Sequence, residues 1–115
     1  MDFQNIMDRA MEIRRLYEAM ETERYGFPWT SEEIALGFVG DVGDLAKLIT
    51  AENGKRDIPN SHEKLGHELA DCLWSVIVLS KIHGVDLEKT FLGTMNELEQ
   101  HLLQNKFTLG GSSPV

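Results

Sequence analysis

Two pairs of carboxylates stand out by type and spacing. Asp41 and Asp44 lie within Gly-Asp-Val-Gly-Asp-Leu (40–45), and Glu68 and Asp71 within His-Glu-Leu-Ala-Asp (67–71). The members of each pair are three residues apart in a segment of helical hydrophobic pattern, so they fall on neighbouring turns of one face. Two such helices side by side would aim four carboxylates at one point. Oxygen donors without thiolates or clustered imidazoles suit Mg²⁺, with Mn²⁺ the alternative, better than Zn²⁺. The four histidines, His62, His67, His83 and His101, show no ligand spacing. The competing reading is a set of solvated ion pairs, with Lys47 three residues after Asp44 and Lys64 four before Glu68. Charged groups are rarely buried without a partner or a metal, however, and here two acid pairs sit on consecutive apolar helices.

The elements that must position these acids are all helical. Residues 3–24 place Phe3, Ile6, Ala10, Ile13, Tyr17 and Met20 on one face, with Glu12, Arg14, Arg15 and Glu18 mostly off it. Tyr-Gly-Phe-Pro (25–28) breaks that helix. Thr30 and Glu33 form a capping box for a second helix reaching about Ala51, with Trp29 stapled onto Ile34. Asp41 falls inside its apolar stripe and Asp44 beyond the edge. Gly37, Gly40 and Gly43 each cost about 1 kcal/mol relative to alanine there, which predicts a neighbour or ligand close to the backbone. After a polar loop (52–60), Asn60 or Ser61 restarts a third helix that runs to about His83. It is apolar nearly all round apart from a stripe of Glu68, Asp71 and Ser75, which predicts burial. Asp86 caps a fourth helix with Leu87, Phe91, Met95, Leu98 and Leu102 on its stripe, fraying near Asn105. The pattern gives an all-α four-helix bundle, followed by a disordered tail over 107–115. The third helix is more apolar than one small chain requires, so a second subunit is expected to cover part of it.

Composition narrows the function. In 115 residues with a formal net charge of -8 there is no basic patch for a nucleic-acid backbone. A small anion remains compatible, since a divalent cation supplies positive charge locally. Cys72, the single cysteine, lies in an apolar run and reads as core. The acidic, amphipathic start does not read as a secretion signal, and no apolar run is long enough for a bilayer. A cytoplasmic location is the default expectation.

Gly-Asp-Val-Gly-Asp-Leu-Ala (40–46), a polar loop, His-Glu-Leu-Ala-Asp-Cys-Leu-Trp (67–74) and Gly-Val-Asp-Leu-Glu (84–88) together resemble the MazG-type all-α nucleoside triphosphate pyrophosphohydrolases. The likeness is nearest the short, single-domain dCTP pyrophosphatase-like branch and covers about residues 10–103. It implies a four-helix MazG-like domain over 1–106 that assembles as a homodimer or homotetramer. It also implies Mg²⁺-dependent cleavage of a triphosphate between the α and β phosphorus. Asp41 and Asp44 would take the place of the family's usual Glu-x-x-Glu pair, one methylene shorter in each arm, and Glu68 and Asp71 the second pair. All four would hold metal, one of them also handling the attacking water. Family members stack the base on aromatics of the first helix and linker, which implies Tyr17, Tyr25 and Trp29. The basic residue and Asn-Arg pair that grip phosphates in that branch fall at Thr94, Leu98 and Glu99 here. Lys47, Lys55 and Arg56 are the substitutes within reach of the motif. The alternative implied by the missing grip is a non-catalytic nucleotide- or metal-binding oligomer of the same fold.

Overall fold

A computed structural model describes residues 2–105; the 107–115 tail expected from sequence lies outside them. Four helices follow in order: α1 (Phe3–Tyr25), α2 (Ser31–Glu52), α3 (Ser61–Ile82) and α4 (Leu87–Gln104), with no strand among the described residues. The chain forms two compact units: one carries α1 to α3 up to Gly84, and the other begins at Val85 and carries α4.

Local chemistry sets the helix ends. The Asp2 carboxylate accepts from the Asn5 N–H and starts α1. Gly26, at φ 87°, stops α1 in a left-handed cap whose N–H donates to the Thr22 carbonyl. Thr30 and Glu33 form the expected reciprocal capping box on α2. Asp86 accepts from the Lys89 N–H at the start of α4. At α3 the helix starts at Ser61, as expected, but without a side-chain cap. Asn60 sits in the left-handed region at φ 56° and its side chain makes no cap bond. Asparagine tolerates that conformation better than most residues.

In the first unit α2 packs along α3, and α1 lies against α3. The core is small: Met7, Ala10, Ile34, Leu48, Ile77 and Val78 are buried. Trp74 on α3 ties in α1 by donating its indole N–H to the Ala10 carbonyl at 3.1 Å, and its ring meets Tyr17 at 5.5 Å, tilted by 58°. The buried stripe of α1 coincides only in part with the apolar one: Ala10 is buried and Phe3, Ile13 and Met20 are half-buried. Met7, Ala10, Arg14 and Glu21 face inward, while Ile6 and Tyr17 are exposed. Two charged residues occupy that stripe because they satisfy each other and the linker backbone. Burial of α3 is also partial: its C-terminal half is enclosed around Ser75, Ile77, Val78 and Ser80, but Leu69 and Leu73 are exposed. In the second unit no residue of α4 is buried, and Phe91, Met95 and Leu102 of its stripe are exposed.

Candidate metal centre and adjoining cavity

Three of the four carboxylates in the acid motifs of α2 and α3 come together. Asp41, Asp44 and Glu68 each offer a carboxylate oxygen, all within 4.8 Å of one another. Glu68 is half-buried, and its Oε1 is enclosed without any hydrogen-bond partner. Burial pushes its carboxyl above the usual range. The Asp41 carboxylate beside it and the charges of Asp71 and Asp44 push it the same way. Asp71 stands outside the close trio, exposed, yet near enough for its charge to act on Glu68.

No base neutralises this charge. Among the described residues the salt bridges join Arg9 to Glu12, Arg14 to Glu18 and Glu21, and His62 to Glu52. Neither Lys47 with Asp44 nor Lys64 with Glu68 pairs as the solvated reading would have it. An unpartnered enclosed carboxylate oxygen beside two further carboxylates is destabilising on its own. A hard divalent cation satisfies all three at once, so the donor set fits one.

Cys72, half-buried next to the trio, has its thiol pushed up by burial and then by Asp41, Glu68 and Asp71. It is therefore protonated at neutral pH and unsuited to nucleophilic work. Its alkylation by iodoacetamide at pH 7.5 should run more slowly than that of free cysteine; an equal or faster rate would contradict this environment.

Asp41 belongs to a second feature as well. It and Asp71 border a cavity of about 530 Å³ between α1, α2 and α3, within the size range of small-molecule sites. Its walls include Tyr17, Tyr25, Trp29, Phe38 and Trp74, together with the buried Arg14 and Glu21. The three aromatics singled out from sequence thus share one cavity. Trp74 both packs on Tyr17 and borders that cavity. Arg14 and Glu21 went unnoticed because polar residues on a helix normally mark its wet side. Their seven-residue spacing, two turns of one face, was the available signal. Lys55 and Arg56 line a different depression on the α2–α3 loop, with Ala51, Asp57 and Ser61. Lys47 is exposed on α2 and borders neither.

The glycines of α2 divide. A side chain at Gly37 would meet the Trp29 ring at 3.7 Å, whereas Gly40 and Gly43 face nothing within 4 Å. The Gly37 distance is an ordinary contact, so among the described residues no close neighbour requires glycine at these three positions.

The family model for the MazG nucleotide pyrophosphohydrolase domain matches residues 29–101, more than half of the chain. The chain belongs to the MazG family. The match begins at Trp29 and takes in both acid pairs, while α1 precedes it. No curated protein and no solved structure matches the chain. Membership places this MazG domain, coarsely, among hydrolases of nucleotides, in a family that is typically metal-dependent. No described helix is long and apolar enough to cross a membrane.

Proposed function

We propose that this MazG domain is a Mg²⁺-dependent pyrophosphohydrolase, with Mn²⁺ as a substitute ion. It would cleave a nucleoside or deoxynucleoside triphosphate between the α and β phosphorus to a monophosphate and pyrophosphate. The observation that carries this reading is the sharing of Asp41 between the carboxylate trio and the aromatic cavity. A planar base in the cavity would leave its triphosphate beside the carboxylates. Asp41, Asp44 and Glu68 would hold the cation, with Asp71 as a fourth ligand or as the group that orients water. A bound divalent ion neutralises phosphate charge and lowers the pKa of a coordinated water. Asp71, outside the close trio, would in the second role accept a hydrogen bond from the attacking water. Tyr17, Tyr25 and Trp29 would contact the base, whose π faces suit aromatic walls.

The triphosphate needs cations besides the metal. Lys47, Lys55 and Arg56 are the candidates, although none borders the cavity. A second copy of the chain would both supply such groups and cover exposed apolar residues on α2 and α3, so a homodimer or homotetramer belongs to this reading. So do a likeness to the dCTP pyrophosphatase-like branch and a place among the free nucleotides of the cytoplasm.

A panel of ribo- and deoxyribonucleoside triphosphates incubated with the protein and Mg²⁺ is expected to release pyrophosphate from at least one. Release of orthophosphate instead would move the cleavage site. Binding detected by calorimetry without any product would support a silent nucleotide-binding module.

A further inference from the structure

The α1–α2 linker is held by a buried ion pair. Arg14 and Glu21, each 5% exposed, project from one face of α1 and stand 3.7 Å apart. Arg14 Nη2 donates to the Trp29 carbonyl at 2.7 Å, and the Trp29 N–H donates to Glu21 Oε1 at 2.8 Å. Both polar groups of one linker residue are therefore bound by charged partners, the stronger class of hydrogen bond. Trp29 immediately precedes the cap of α2, and its ring lies near Gly37. Burying two charges is expensive, and apolar residues of similar volume often serve stability as well or better. What the pair adds is a fixed position for Trp29, and Trp29 is a wall of the cavity.

We infer that Arg14 and Glu21 are positioning residues for ligand binding: they clamp the Trp29 backbone so that its ring is preset against the aromatic guest of the cavity. This rests on the reading of that cavity as the base site. It assigns a role in the site to α1, which lies wholly before the family match. Neither Arg14 nor Glu21 belongs to the carboxylate trio, so the clamp should govern nucleotide affinity and leave cation affinity alone.

The test uses the full chain and the nucleoside triphosphate that it turns over fastest. Arg14→Met combined with Glu21→Leu removes the clamp at similar volume. KM should rise about tenfold or more, the scale of one lost base–aromatic stack. The kcat and the midpoint of Mn²⁺ stabilisation should stay within about threefold, since a clamp that only presets the ring changes affinity alone. Glu21→Gln keeps an oxygen for the Trp29 N–H and should restore most of the affinity. In protein labelled with 5-fluorotryptophan, the Trp29 ¹⁹F resonance, assigned with Trp74→Phe, should shift or broaden in the double variant without nucleotide present. An unchanged KM together with an unchanged Trp29 resonance would overturn the inference. If the double variant does not fold, Arg14→Lys, which keeps the charge and loses the planar fork, must show the same KM rise. If the wild type turns over no nucleotide, the pyrophosphohydrolase reading falls separately, and an undisturbed ¹⁹F signal then overturns the clamp.

Discussion

Replacing Glu68 with glutamine is expected to stabilise the metal-free protein and at the same time abolish its response to divalent cations. Glu68 carries an enclosed oxygen without a hydrogen-bond partner, and its carboxyl is held above the ordinary range by burial and by Asp41, Asp71 and Asp44. A raised carboxyl pKa means that the native state binds the proton more tightly than the unfolded chain. Stability of the metal-free protein therefore falls as pH rises from the ordinary glutamate value through the folded one. Above that window the full penalty of the charged form is present. Glutamine is uncharged at every pH and so escapes it. An unsatisfied buried polar group costs about 1–3 kcal/mol. For a small domain each kcal/mol recovered is roughly 4–8 °C in melting temperature. With EDTA at pH 7.5, Glu68→Gln should thus melt several degrees above the wild type, and the gap should shrink towards pH 4. Adding Mn²⁺ or Mg²⁺ reverses the order. At a hundredfold excess over Kd, the wild type gains about 2.7 kcal/mol by mass action. The variant should gain little and release no pyrophosphate. If Glu68→Gln lowers the metal-free melting temperature, or if wild type and variant respond equally to Mn²⁺, the trio is not a cation site.

The second large effect concerns self-association. On α2, Leu36 is 73% exposed and Val39 67%, and on α3 Leu69 and Leu73 are about half exposed. These residues flank the acid motifs in sequence, and large apolar side chains grouped in this way mark interaction surfaces. Light scattering should find at least a dimer at micromolar concentration. Leu36→Glu with Val39→Glu should shift the protein towards monomer. Its melting temperature should then drop and depend on concentration, because stability and assembly are inseparable in an obligate oligomer. Pyrophosphate release should fall with the loss of assembly if a second copy contributes to the triphosphate grip. A wild type that is monomeric at all concentrations would remove the oligomer from the reading.

Much of this molecule was legible from residue order. Caps such as Thr30 with Glu33, and Asp86, are local devices, set by a few adjacent atoms, and they place two helix starts correctly. The two acid pairs were legible for the same reason, since spacing of three on a helix fixes a shared face. The tertiary structure alone decided that Asp41, Asp44 and Glu68 form the close trio while Asp71 stands outside it, because the offset between α2 and α3 is a packing outcome. It alone placed Lys55 and Arg56 around a separate depression on the loop. It also turned α1 so that Arg14 and Glu21 face inward, against the polarity rule. Hydrophobic periodicity reports the average preference of a face for water. It cannot report that two buried charges find each other and a linker backbone 8 to 15 residues further along the chain.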